Sequence, residues 1–340
     1  MDSKRPHEYR ALRQCLRLLA VGCWLLAVGS FLTSCSWVKD DTDDCPTGFW
    51  LSLHYTYNIL DVEAAPRFVE DAYVYVYGSD GAFVKRFYVT RDVLEANDYR
   101  VRIEGLEEGD YRFVVWSGIG SSQYTVSGDT QTIGDFRLTL ASVSGRSAQR
   151  LTDLYYGSLS MVHYEDAYAV HDVELMKNTN QLACLVVPVS DTTTLSLDEY
   201  NMKLTAANST LDGDNRLLPA AVSTYEPYEQ DSVTIDDPEY GVLHGLKFGI
   251  STLRLMSNSD SRLIFERKDT GQQLFSISIP EYVGMIGSLY TNLGRELSVQ
   301  EYLDRQDFYT IVFFLSGDLD QLLQLQVNSW RLRANYHLKL

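Results

Sequence analysis

From residue 49 onward the chain is built of short runs in which apolar and polar positions alternate with a period of two, the pattern of half-buried strands. Phe49, Leu51, Leu53, Tyr55 and Tyr57 alternate with Trp50, Ser52, His54 and Thr56. Ala72 to Tyr77 alternates valine with tyrosine, Gly78-Ser79-Asp80-Gly81 supplies a turn, and Ala82 to Val89 returns, which predicts a hairpin. Tyr99, Val101 and Ile103 mark a further strand. A turn over Gly105 to Asp110 leads into Tyr111 to Trp116, and Phe136, Leu138 and Leu140 end the first block.

The small, polar stretch from Ala141 to Arg150 reads as an exposed loop near a domain boundary. The second block predicts strands at Val173 to Met176, Leu182 to Val189, Met202 to Leu204 and Leu246 to Met256. A hairpin follows, Arg262 to Arg267, turning at Asp269-Thr270-Gly271 and returning from Leu274 to Ile279. Ser298-Val299-Gln300-Glu301 has the form of a capping box and predicts a short helix to Arg305. Tyr309 to Leu315 and Leu323 to Val327 close the chain, with Trp330 just beyond. Short strands at regular intervals with glycine turns imply an all-β fold of antiparallel sandwiches, with a short helix in the second. The expected domains are 47–165 and 166–340.

The N-terminal end follows another pattern. Arg10, Arg13 and Arg17 precede an uncharged run, Leu18 to Leu32, about fifteen residues long and too short for a comfortable permanent span. It ends in Leu32-Thr33-Ser34-Cys35, which resembles the lipobox of bacterial lipoproteins. That resemblance implies a signal peptide over 1–34, a diacylglycerol on the Cys35 thiol and a mature chain beginning there. The alternatives are an ordinary secretory peptide or a short anchor. Two or more acyl chains, at about 0.8 kcal/mol per buried methylene, hold a protein on a membrane durably. Residues 35–46 read as an acidic tether. Lys39, Asp40 and Asp41 within it resemble the signal that sends lipoproteins of Bacteroidales-type bacteria to the outer face of the outer membrane; the other reading is a solvated spacer.

Charge narrows the partners. The chain carries 29 Lys and Arg against 46 Asp and Glu. Loss of residues 1–34 removes five basic and two acidic side chains, leaving a net charge of about −20. Such a surface repels nucleic acid and anionic head groups, so no nucleic-acid partner is expected and lipid must provide the attachment. Cys15 and Cys23 leave with the signal, so Cys45 and Cys184 remain beside Cys35. An oxidising compartment permits their pairing, but Cys184 lies in an apolar run and reads as a buried free thiol.

Reactive chemistry is not prominent. His54, His163, His171, His244 and His337 show no metal-ligand spacing, and there is no nucleophile elbow or phosphate-cradling loop. Asp212-Gly213-Asp214-Asn215 lacks the later residues of a calcium loop and reads as a turn. No catalytic residue, metal or cofactor is expected. Tyrosine is abundant, 23 in all. Tyr73, Tyr75 and Tyr77 share one face of a strand, and Tyr155, Tyr156, Tyr164 and Tyr168 cluster near the junction. Exposed, they would suit sugars or a protein interface; half-buried, they are sandwich edges. Asp191-Thr192-Thr193 and Asp231-Ser232-Val233 resemble the O-glycosylation acceptor sites of these bacteria, which makes Thr192 and Ser232 candidate modification sites.

Several segments together resemble the FimB-type family of fimbrial anchor subunits of Bacteroidales bacteria: the Asp43-Asp44-Cys45-Pro46 tether, the strand Leu51 to Asn58, Leu106 to Trp116, Asp153 to Gly157, Leu175 to Asn180, and Ser298 to Arg305 followed by Tyr309 to Leu315 and Val327 to Trp330. The resemblance implies two transthyretin-like β-sandwiches in tandem and a structural role. The protein would be lipid-anchored in the outer membrane at a fimbrium's base, hold the fimbrial shaft subunit by sheet-edge or strand-exchange contacts, and limit filament length. Shaft subunits of this type are cut by an arginine-specific protease; Arg67, in an expected loop, reads as an uncut surface residue. The stretch Leu323 to Leu340 has the pattern of either a donated or a self-paired strand. The alternative function is a surface glycan-binding lipoprotein of a polysaccharide-uptake system, which predicts an exposed tryptophan pair.

Overall fold

The computed structural model describes residues 49–165, 168–190, 192–282 and 295–333. The fold is mostly β-strand, in several sheets with a few short helices, as the alternating pattern leads one to expect. Phe49–His54 (β1) lies at the centre of a three-stranded sheet, antiparallel to Arg100–Ile103 (β4) and parallel to Ala169–Glu174 (β10). Facing it is a five-stranded sheet of Met176–Lys177 (β11), Tyr155–Tyr164 (β9), Gly109–Ser117 (β5), Asp71–Gly78 (β2) and Phe83–Thr90 (β3), in that order. The β2–β3 hairpin turns where glycine was expected to turn it, and Gly81 adopts φ +80°, a conformation that side chains resist.

The valine–tyrosine alternation of β2 has a simple cause: its sheet is covered on both faces. Val74 and Val76 join Phe49, Leu51, Leu53, Phe113 and Val115 in the core between the two sheets. Tyr75 and Tyr77 point the other way, into a core with Trp116, Phe136 and Leu138. Tyr124–Ser127 (β6) and Arg137–Leu140 (β7) pair there and cover that face together with Thr210–Asp212 (β14). Hence the tyrosine rings at 75 and 77 are buried and only Tyr73 is half-buried.

The second half is a six-stranded sheet against a five-stranded one. The larger runs Glu229–Asp237 (β16), Gly241–Leu253 (β17), Thr179–Pro188 (β12), Phe308–Leu315 (β20), Leu322–Val327 (β21), Trp330–Arg333 (β22). The smaller runs Gln273–Ser278 (β19), Arg262–Arg267 (β18), Tyr200–Ala206 (β13), Ser223–Tyr225 (β15), Arg146–Ser147 (β8). Leu182, Cys184 and Val186 of β12 and Ile311 and Phe313 of β20 face Met202, Leu204, Phe265 and Phe275 across the layer. Phe275 and Phe313 stack at 4.5 Å.

Some pairings and one helix go beyond what the alternating pattern shows. Residues 169–177 pair with β1 and β9, and β14 reaches back to β7. Backbone pairing beyond a loop is a non-local choice that period-two patterning does not encode. The expected turn at 105–110 carries the chain from β4 in one sheet to β5 in the other. Arg67 lies in a four-residue helix, Ala65–Phe68 (α1), rather than in a loop; Pro66 sits at the helix start, where its missing N–H costs nothing. A second helix, Arg91–Ala96 (α2), was not foreseen. The third, Val299–Arg305 (α3), is the expected one: the Ser298 hydroxyl accepts the Glu301 N–H at 3.1 Å.

Candidate functional site: a polar seam and open sheet edges

The sheets of the two halves meet across a buried polar seam. Asn178 and Asn215 are 0 % and 3 % exposed, and each donates its side-chain amide to the other's oxygen, at 2.9 and 3.1 Å. The Asn178 N–H donates to the Leu154 carbonyl. The ammonium of Lys177 sits between Asp153 at 3.0 Å and Asp307 at 2.8 Å. Arg254 grips Asp304 with two bonds of 2.7 Å. Removing one partner from such a pair leaves a buried charge, which costs about 3–5 kcal/mol. The expected turn at Asp212–Asn215 contributes, since Asp212 accepts the N–H groups of Asp214 and Arg216 and aims Asn215 inward. The seam is thus a joint, with its polar groups used up in holding the halves together.

Among the described residues every sheet ends in two edge strands; those of the larger sheets include β3, β16, β19 and β22, each paired on one side only. Unpaired edge N–H and C=O groups are the natural receptor for another chain's strand. β3 is eight residues long, and its exposed positions include Val84 and Tyr88 beside Lys85 and Arg86. The nine-residue β16 is acidic, with Glu229, Asp231, Asp236 and Asp237. The β22 edge is only four residues long. Residues 322–333 are self-paired, β21 on β20 and β22 on β21, so in this structure that part of the C-terminal stretch completes its own sheet.

Of the residues singled out from the sequence, Cys35, Lys39, Asp40, Asp41 and Cys45 lie outside the described residues. Thr192 sits in a loop where its hydroxyl lies 3.2 Å from that of Ser190, and Ser232 is exposed on β16. Cys184 is fully buried and unpaired, and burial pushes its thiol well above the ordinary range. The histidines serve locally. His163 bonds Asp110 at 3.0 Å, and His54 lies between Glu63 at 2.8 Å and Asp172 at 3.3 Å. Among the described residues no group of three His, Cys, Asp or Glu side chains is placed to hold a metal. A cavity of about 570 Å³ opens beside α1, with Arg67 and Phe68 on its rim; its acidic wall residues are already engaged, Asp71 by the Gly118 N–H at 2.7 Å and Asp153 by Lys177. Trp116 is fully buried and stacked on Phe136, while Trp50 is half-buried with the Arg102 guanidinium 6.0 Å from its ring.

What sequence reasoning missed is β16. Val233 and Ile235 alternate with Thr234 and Asp236, a short period-two signal diluted by five acids between 229 and 239.

No curated protein is significantly similar to the chain. Among solved structures, a candidate adhesin of Bacteroides thetaiotaomicron shares 27 % identity, covering 86 % of this chain and 99 % of that one, with a TM-score of 0.75. A protein of the same organism described as a candidate polysaccharide-binding protein shares 26 % identity over 84 % of this chain and 97 % of that one, TM-score 0.73. The fimbrial anchor protein Mfa2 of Porphyromonas gingivalis has the same fold at 18 % identity, covering 85 % of this chain and 99 % of that one, TM-score 0.62. Residues 42–336 match the family described as fimbrillin-A associated anchor proteins Mfa1 and Mfa2. That match takes in every described strand, and with it the polar seam and the open edges. This chain is a member of the fimbrillin-A associated anchor protein family.

Proposed function

We propose that the protein is an outer-membrane lipoprotein that holds a fimbria at its base and limits its length. The observation that carries this reading is the family match over residues 42–336, in a family of structural anchor proteins. Attachment is assigned to acyl chains on Cys35, with residues 1–34 removed as a signal and Lys39, Asp40 and Asp41 directing export to the cell surface. The body divides into two transthyretin-like sandwiches. It grips the fimbrial shaft subunit by backbone pairing at a sheet edge or by strand exchange. The length of β3 and β16, eight and nine residues, supports edge pairing, since beyond Phe83, whose N–H donates to the Gln131 carbonyl, each is paired on one side only among the described residues. Thr192 and Ser232, both accessible, are the proposed O-glycan acceptors.

The alternative of a surface glycan binder is favoured by the likeness to the candidate polysaccharide-binding protein of Bacteroides thetaiotaomicron. Among the described tryptophan side chains, Trp116 is fully buried and Trp50 is half-buried beside Arg102, so neither offers an open aromatic platform.

Metabolic labelling with a palmitate analogue, together with electron microscopy of the cells, tests the proposal. The unsubstituted chain takes up label, the Cys35→Ala chain does not, and cells with the variant shed their fimbriae or carry abnormally long ones. Unlabelled protein supporting normal, cell-bound fimbriae sinks the reading.

A further inference from the structure

The cavity of about 570 Å³ beside α1 is walled by three separate stretches of chain. Arg67, Phe68 and Asp71 come from α1 and the start of β2, Ser121 from the loop after β5, and Arg150 and Thr152 from the segment that leads into β9. Its volume falls within the range of small-ligand sites, about 300–1,000 Å³.

The wall carries three kinds of polar group. The first is unpaired positive charge. Cations elsewhere on this acidic chain are largely engaged by its own acids: Arg86 by Asp129, Arg91 by Glu70 and Glu95, Arg102 by Glu104, Arg146 by Glu226. Arg67 and Arg150 are exposed, share this one cavity and make no ion pair among the described residues. A guanidinium presents a planar fork of N–H donors that matches a carboxylate. The second is a hydroxyl with a proton to give. Ser121 Oγ accepts from the Thr152 hydroxyl at 3.1 Å and from the Gln123 N–H at 3.3 Å, which fills both its lone pairs and leaves its O–H to donate. The third is a carboxylate with open acceptor sites. Asp71 takes the Gly118 N–H at 2.7 Å and the Ser117 hydroxyl, which occupy about half of its lone-pair sites.

The backbone of the wall, by contrast, is already paired. The N–H groups of Gly118, Leu151 and Thr152 donate to Asp71, to Ser251 Oγ and to Gln123 Oε1. An extended peptide that binds through main-chain pairing therefore finds few partners here. A bare phosphate would use the arginines and be repelled by Asp71. A ligand that answers all three kinds of group carries a carboxylate and several hydroxyls on a compact ring. The C–H surface of such a ring also suits Phe68, which is 37 % exposed.

We propose that this cavity binds an acidic sugar, a hexuronate or sialate unit of a glycan, with Arg67 and Arg150 taking its carboxylate, Ser121 and Asp71 its hydroxyls, and Phe68 its ring. The site is separate from the sheet edges and stands whether or not the protein anchors a fimbria.

Isothermal titration calorimetry of the full chain tests this with digalacturonate, a glucuronate disaccharide of the chondroitin type, and sialyllactose. Each is run beside its methyl ester, which keeps the ring and removes the charge. At least one acid binds about tenfold tighter than its ester, as hydrogen bonds to a charged group imply. Which acid does so tells hexuronate from sialate. Arg67→Ala and Arg150→Ala each remove most of that difference, and Ser121→Ala weakens acid and ester alike. Both arginines are exposed, so the urea midpoint stays unchanged; a variant whose midpoint falls is replaced by Arg67→Gln or Arg150→Gln. Equal binding of every acid and its ester, or an acid preference that survives both arginine substitutions, overturns the assignment. Tighter binding of tetra-aspartate or of inorganic phosphate than of any of the sugars overturns it as well.

Discussion

The Arg305 guanidinium donates to the carbonyl oxygen of Asn58 at 3.2 Å, tying the last helix to the loop after the first strand across 247 residues of sequence. The same group bonds Glu301 at 2.9 Å and Asp61 at 3.2 Å and lies 4.2 Å from the Tyr57 ring. Arg305 is 8 % exposed, so its charge is held by these contacts and little by water. Arg305→Ala leaves the Asn58 carbonyl and the carboxylate of Glu301 short of a donor. Loss of about 2–4 kcal/mol is expected, read from the urea midpoint at unchanged slope. Arg305→Lys recovers less than half, because one ammonium cannot match the planar fork.

Glu301 gives this corner a pH dependence. Hydrogen bonds from Arg295 and Arg305 hold its carboxyl at about 2, below an ordinary value of 4.5. A depressed acid stabilises the fold above its unfolded value and loses that contribution as pH falls toward the folded one. The stability of the unsubstituted chain therefore drops between about pH 4.5 and 2 more steeply than that of Glu301→Gln. Parallel acid titrations of the two chains by circular dichroism check this, and coincident curves contradict it.

Trp116 stacks on Phe136 at 5.7 Å in the core shared by the first five-stranded sheet and the β6–β7 hairpin. Trp116→Ala should cost about 3–5 kcal/mol, and Trp116→Phe clearly less. Tryptophan emission checks the environment as well: the native spectrum includes a blue-shifted component that the variant lacks.

Cys184 is shut between the six-stranded and the five-stranded sheet, and burial raises its thiol, so the nucleophilic thiolate is scarce at neutral pH. Iodoacetamide at pH 8 should leave the Cys184 peptide unmodified in the folded protein and alkylate it fully in guanidinium. Mass spectrometry of tryptic peptides distinguishes it from Cys45. Rapid labelling in the folded state would refute the burial argument.

Gly245 allows β17 to pass close to Val186 of β12. Gly245→Ala forces its Cβ into the Val186 carbonyl and should destabilise by at least about 1–3 kcal/mol. Hydrogen exchange locates the damage: amides of 233–245 lose protection first, ahead of those in β13 and β18.

Many of the strands from residue 49 onward, though not β16, were legible because a half-buried strand must alternate. That rule gave the β2–β3 and β18–β19 hairpins, and the capping pattern of Ser298 and Glu301 gave α3. Two things were not legible. Tyr75 and Tyr77 read equally as exposed ligands or half-buried edges; they proved core because β6, β7 and β14 cover their face. The parallel pairing of β10 with β1, and the packing of Leu243 and Ile235 of the β16–β17 hairpin on Val312 and Phe314, are also beyond pattern reading. Alternation says that a strand has two faces and leaves open what packs on each. The chain's own sequence therefore determined its strands, its turns and its family. Which strands lie side by side, and which apolar face is covered by the chain itself, was decided by long-range packing, because those contacts join residues that no local periodicity relates.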